Sequence, residues 1–361
     1  LIGGMGLVAA GYPTYVLHPI TLLAPVPLLL ALLVLDDARL ASPAWVVWVL
    51  ALMAWTVLLY LAMAGTTRGL AYSLSMYAPF AVLSFRIRRP EPVALVFAVA
   101  TTTLVSARIL ASWFNAGAKW VPWQVYEGNE LASRLNILLP LVLVALLALP
   151  AARRRERLLL LLLFAAGVTT IVLTQERAGL GVLAVLVLIG LARNQRKALV
   201  GVGVAALSGW LLASRSIVAA LEHLRFVNFV PSNASRPEIW SAALDASRES
   251  AWLGVGPGNS VDALREVDVV HAHNGLVQSA LEAGWPGALS YAALSIYVIV
   301  LALRLLRQDG QDTLWALSLL AYVGFSVISA PIQRPDSTLV LVLVVMAARE
   351  HVHRRGARCA A

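Results

Sequence analysis

HAHNGLVQSALEAGWPGALSYAALSIYVIVLALR, residues 271–304, carries an apolar run long enough to cross a bilayer and a break inside that run. About 20 predominantly apolar residues span a hydrocarbon core, and 276–304 exceeds that length. Pro286 lacks an amide hydrogen and clashes with the preceding turn, so it cannot continue a regular helix. Gly284 and Gly287 flank it. The pattern predicts a short helix from about Asn274 to Ala283, a break, and a span from about Ala288 to Leu303. His273 then stands at the mouth of the membrane, at or before a helix amino terminus. The helix dipole disfavours a cation there and keeps the imidazole neutral, the form a general base needs.

Similar runs fill most of the chain. Apolar residues make up 60% of it, charged residues 13%, and the mean hydropathy is +0.80, far from soluble globular norms. The runs predict an all-α polytopic membrane protein of about twelve transmembrane helices: 1–17, 20–35, 43–62, 70–85, 93–110, 132–150, 157–174, 178–192, 197–213, 276–304, 313–329 and 336–349. The chain opens on Leu1, and a native amino-terminal stretch is expected upstream. The tract Leu158 to Leu163 reads as a lipid-facing helix.

The formal charge of +9 does not indicate nucleic acid, because of where it falls. Arg86, Arg88 and Arg89, then Arg153, Arg154, Arg155 and Arg157, then Arg193, Arg196 and Lys197, then Arg304 and Arg307, then Arg349, Arg354, Arg355 and Arg358 occupy alternate loops. Placing those loops in the cytoplasm satisfies the positive-inside rule and puts both termini there. The loops 111–131 and 214–275 then fall on the outer side. The expected organisation is a single transmembrane domain over 1–361, with 214–275 inserted as a periplasmic loop carrying amphipathic helices. Cys359 is the lone cysteine, so no intrachain disulfide forms.

Within the second loop, Ser235-Arg236-Pro237-Glu238 has capping-box spacing with proline in the first turn, so a helix starts there. Ile239, Trp240, Ala243 and Leu244 give it an apolar face suited to a membrane surface. Arg236 sits at the positive end of its dipole, where a guanidinium would suit a pyrophosphate. Arg177, in Thr174-Gln175-Glu176-Arg177-Ala178-Gly179, occupies a very tight outer turn, a position the charge rule disfavours. Arg134 lies near the outer end of its span and is a further candidate anion contact. The loop 111–131 holds Trp113, Phe114, Trp120, Trp123 and Tyr126 with Lys119. It is an interfacial belt that would also suit stacking on sugar rings.

His271 and His273 form a His-x-His pair with Asp262, Glu266 and Asp268 nearby. The carboxylates follow no recognised ligand spacing, and neither metal nor cofactor is expected. Gly254-Val255-Gly256-Pro257-Gly258 follows no strand, so it reads as a turn returning the loop to the membrane rather than as a nucleotide site.

Taken together, these residues resemble the O-antigen ligase family, the WaaL-like membrane glycosyltransferases. His273-Asn274, nine residues, Gly284, two residues and Gly287 fit that family's loop-to-helix pattern. Arg236-Pro237-Glu238-Ile239-Trp240 and Leu253-Gly254-Val255-Gly256-Pro257-Gly258 look like its Arg-x-x-x-Trp and Gly-x-Gly segments. Arg177-Ala178-Gly179 is similar to its outward-facing arginine turn, with Ala178 where glycine is frequent. The motifs cover about residues 174–290. The resemblance implies a GT-C-type fold in the inner membrane of a Gram-negative bacterium. It also implies metal-independent, inverting transfer of a glycan from undecaprenyl pyrophosphate to lipid A–core oligosaccharide. By that analogy His273 is the base, Arg177 and Arg236 hold the pyrophosphate, and Lys119, Arg134, His271 and Asn274 join in substrate binding.

The nearest rival is an O-antigen or exopolysaccharide polymerase, whose acceptor is another lipid-linked glycan. A protein O-oligosaccharyltransferase comes third. A flippase or other transporter would carry charges near the bilayer midplane on paired broken helices. Here the charges gather at helix ends.

Overall fold

The computed structural model describes residues 39–40, 42–63, 70, 74, 77–87, 90–116, 128–174, 177–192, 236–267, 269, 272–308, 311–328 and 335–360. The expected spans 1–17, 20–35 and 197–213 lie outside the described residues. The helices are α1 (Ala44–Ala62), α2 (Pro90–Ala116), α3 (Gly128–Ala148), α4 (Arg154–Thr174) and α5 (Arg177–Ala192). After them come α6 (Arg236–Glu249), α7 (Ser260–Ala263), α8 (Gly275–Leu306), α9 (Gln311–Ile328) and α10 (Pro335–Ala360).

Among the described residues, four helices are long and apolar enough to cross a membrane: Ala44–Ala62, Pro90–Asn115, Arg154–Thr174 and Gly275–Leu306. The protein is a helical membrane protein. Its helices show why. In α1 the buried residues Val49, Leu52, Thr56 and Leu59 form one stripe at helical spacing, yet the outward-facing Val47, Leu50, Leu58 and Leu61 are also apolar. A helix apolar on its exposed face has hydrocarbon as its solvent. Leu158, Leu159, Leu161 and Leu162 are exposed on α4 in the same way, as the leucine tract predicts. Several hydroxyls inside the helices are satisfied locally: Thr56, Thr170 and Ser326 each donate to the carbonyl four residues back.

The centre of the bundle is α10, where every residue from Leu339 to Ala348 is buried. Helix α9 packs against α8, α3, α5 and α10, while α2 packs against α3, α4 and α10. Trp315 and Phe325 of α9 are completely enclosed.

Two expectations change. The run 70–85 is not one continuous α-helix: Ala78–Ser84 is a 3-10 turn, and Phe85–Arg86 then forms a short strand, β2. It pairs antiparallel with β1 (Arg39–Leu40), a small ladder that an all-α reading does not contain. Pro79 in the first turn and four charges in the six residues from Arg86 to Glu91 end the apolar pattern early.

The chain direction puts two helix ends on one face. Asn274, which begins α8, donates from Nδ2 to Val327 O at the end of α9. Ser318 of α9 donates to Ile137 O of α3, and Asn136 of α3 donates to Gly179 O of α5. Ser318 lies ten residues before the end of α9 and Ile137 nine after the start of α3, about 14 Å in each case. The start of α8 and the end of α9 therefore share one face of the bundle, and the start of α5 is anchored on α3 at Asn136.

Candidate active site

On that face α8 begins with a defined cap. Asn274 Oδ1 accepts from the amides of Leu276 and Val277 at 3.0 and 3.1 Å, satisfying two of the four open donors of the first turn. Ten positions on, Gly284 adopts φ 65°, ψ −161° and interrupts the helix as Pro286 requires. The predicted short helix, break and long span are all present.

The break leaves carbonyls without helical partners, and the glycine loop supplies them. Val255 N donates to Leu281 O at 2.7 Å, Gly256 N to Glu282 O at 3.2 Å, and Trp55 Nε1 of α1 to Ala283 O at 2.8 Å. In return Trp285 N donates to Trp252 O. Gly254 and Gly284 meet here, both left-handed. A Cβ on Gly254 would lie 2.5 Å from Gly284 N, and one on Gly284 would lie 2.4 Å from Leu253 C. Only two glycines permit so close a backbone approach. The loop does turn back to the membrane helix, and it locks into the helix break.

His273 is held by its backbone. Its φ is 52°, a left-handed conformation that costs a non-glycine residue about 1–2 kcal/mol and persists only where the surroundings fix it. The fixing groups are visible. Arg236 Nη1 donates to His273 O at 3.2 Å and Trp240 Nε1 to Ala272 O at 2.9 Å. Ala272 N donates to Gln278 Oε1 at 2.7 Å. Arg236 and Trp240 stand four residues apart on one face of α6, so the Arg-x-x-x-Trp spacing grips two successive carbonyls.

The apolar side of α6 is engaged by protein. Ile239 and Ala243 are buried in a cluster with Leu264, Ala272 and Leu281, and Ser247 donates to Ala280 O. The surface-lying helix of the sequence reading is thus docked on α8, and the membrane does not receive that face. Its start at Arg236 is as predicted.

Burial first, and the Arg236 charge second, hold the His273 imidazole below its ordinary range. That direction favours the neutral imidazole at neutral pH.

The structure brings Arg236, His273 and Asn274 together. Arg134 is buried at the start of α3, two residues before the Asn136 that anchors α5. Arg177 is the first residue of α5, and α4 ends at Thr174; the predicted turn residues Gln175 and Glu176 lie outside the described residues. The Arg177 side chain lies outside the described residues, as do Lys119, His271 and most of the loop 111–131. Trp240 and Gln278 are the contributors that sequence reading missed as site residues. Gln278, a polar residue four positions after Asn274 in an apolar run, was the available signal.

All of these groups except Lys119, Arg134 and the rest of the loop 111–131 fall in one segment. Residues 160–292 match the family model Wzy_C, described as O-antigen ligase. Over that stretch the chain is similar to the O-antigen ligase family. The match runs from within α4 through the break in α8, so it takes in the capped His273 and the glycine lock. It supports a ligase or polymerase type of activity on lipid-linked glycans. No curated protein matches the sequence significantly.

Proposed function

We propose that this protein is an O-antigen ligase of the bacterial inner membrane. It takes a glycan from undecaprenyl pyrophosphate and joins it to a sugar hydroxyl of lipid A–core oligosaccharide at the periplasmic face. In this reading both termini are cytoplasmic, the loop 214–275 is periplasmic, and the helices follow a GT-C-type arrangement. The observation that carries it is the His273–Arg236 pair: a neutral imidazole with its backbone fixed, beside a guanidinium at a helix amino terminus.

The chemistry follows from those two groups. A sugar hydroxyl is a poor nucleophile, and His273 takes its proton as the oxygen attacks the anomeric carbon. The new C–O bond forms as the bond from that carbon to the pyrophosphate oxygen breaks, so the configuration inverts. The leaving undecaprenyl pyrophosphate gains charge, which Arg177 and Arg236 neutralise. Arg134, Lys119 and His271 complete the anion and glycan contacts. Asn274 sets the helix start that aims His273. The pyrophosphate-linked donor arrives already activated, so no nucleotide is consumed on that side.

The test is transfer by purified protein supplied with lipid-linked donor and lipid A–core, in EDTA, for wild type and His273→Ala. Transfer by wild type and its loss in the variant support the reading. Chain growth from donor alone, with no transfer to core, would instead make the protein a polymerase.

A further inference from the structure

A second site stands at the other end of α8. Beyond the break at Gly284, α8 runs on to Leu306, about 33 Å along its axis, so its end at Arg304 lies about a membrane thickness from the break. There β2, the last turns of α8 and the second half of α10 enclose a cleft of about 620 Å³. Its lining divides by chemistry. Arg86, Arg304 and Arg349 contribute three cations, and His353 lies beside them. Tyr297, Val300 and Met346 make an apolar wall. Glu350 is the one acidic residue of the lining. Arg349 donates to the Leu83 carbonyl, a neutral partner that leaves its charge in the cleft. Among the described residues no carboxylate pairs with Arg86, Arg304 or Arg349. The register of the small ladder also sets Arg39 opposite Arg86, adding another basic residue at that edge.

The wall continues onto the outside of the bundle. Ile296, Val300 and Leu303 follow one another on α8 and are 61%, 41% and 48% exposed. They form an apolar track running from the lipid-facing surface into the cleft. A cationic rim joined to an apolar track open to the bilayer fits a molecule with an anionic head and a long apolar tail. It does not fit a small hydrophilic anion.

We propose that this cleft binds an anionic glycerophospholipid from the leaflet facing the basic loops. Its phosphodiester rests on Arg86, Arg304 and Arg349, and an acyl chain lies along Val300 and Ile296. Guanidinium groups grip phosphate oxygens in a planar fork, and basic pockets between helices on this side of a membrane recognise such headgroups. The site is independent of glycan transfer and would fix the seating of α8 against α10 in the membrane.

The experiment measures phosphatidylglycerol bound to the intact detergent-solubilised protein by mass spectrometry under non-denaturing conditions, in competition with phosphatidylcholine. Wild type is expected to retain phosphatidylglycerol selectively. Arg86→Ala with Arg304→Ala should weaken it about thirtyfold, about fivefold for each arginine. Val300→Trp, which fills the track and changes no charge, should also lower retention. Arg154→Ala with Arg155→Ala, removing two exposed arginines of another basic loop, should leave it unchanged. Three results would overturn the proposal: equal retention of the two lipids, an equal loss in the Arg154/Arg155 variant, or displacement by inorganic phosphate at the lipid's own concentration. Thermal melting of each variant identifies any that fail to fold. Should the Arg86/Arg304 variant fail, Val300→Trp decides the matter.

Discussion

Two histidines mark the two ends of this bundle, and their surroundings are opposite. His273 stands half-buried next to a guanidinium, with its own carbonyl bonded to that arginine. His351 lies between two carboxylates, its Nδ1 3.2 Å from Asp312 and its Nε2 3.3 Å from Glu91. Burial pulls the His351 imidazolium down, but the hydrogen bonds and charges of Asp312 and Glu91 outweigh it and hold the group up at about 9. One imidazole is kept neutral and the other charged at the same pH. The charged one ties the starts of α2 and α9 to α10 and serves as a structural clamp. The neutral one has its backbone fixed by contacts from α6 and α8, and in the proposed reaction it accepts a proton.

The contrast predicts opposite responses to mutation. His273→Ala should lower glycan transfer by about a hundred- to ten-thousandfold with little change in melting temperature. His351→Leu should do the reverse, because it strands the buried Asp312. A loss of about 3 kcal/mol of stability is expected, with near-normal transfer per folded molecule. Thermal melts and transfer assays on both variants separate the roles, and equal loss of activity in both would erase the distinction.

A smaller effect concerns the supports of His273. Trp240→Phe keeps the ring but removes the donor to Ala272 O, a loss of about 1 kcal/mol. Transfer should fall about fivefold, and additional solvent exchange of the 272–274 amides would confirm that the cause is lost positioning.

Two pH predictions sharpen the comparison further. The folded-state value of His351 is raised, so its contribution to stability is full below the unfolded value and is lost as pH rises through about 9. Melting temperature should therefore decline over that alkaline window in wild type, and this component should vanish in His351→Leu. For His273 the shift is downward, so the acid limb of the transfer rate should lie below the ordinary imidazole range. Arg236→Gln should move that limb to higher pH in the residual activity, whereas Arg236→Lys, which keeps the charge, should leave it in place. A limb unmoved in both would remove Arg236 as a cause.

Much of this was legible in the sequence, and for local reasons. Cap and proline signals act over a few residues, which is why Arg236 as a helix start, Asn274 as a cap and the break at Gly284 could be read directly. The spans 43–62, 157–174 and 276–304 were readable because hydrocarbon imposes one length on every crossing helix. What could not be read depends on distant partners. Nothing near Trp240 announces that its indole meets the carbonyl of Ala272. Nothing near Gly254 names Gly284 as its neighbour, since the two lie thirty positions apart. The docking of α6 was missed for the same reason: an apolar helix face looks identical whether lipid or protein will cover it. His351 drew no attention because its two carboxylates come from separate helices.

The interlocked glycines set a rule for anyone exchanging this loop between related proteins. Residues 252–259 and 281–285 are two halves of one seam, closed by backbone contacts that tolerate no added carbon atom. A chimera that imports a foreign loop while retaining the native helix break would set mismatched backbones against each other. Swaps should carry both halves from the same parent, so that the seam is inherited whole.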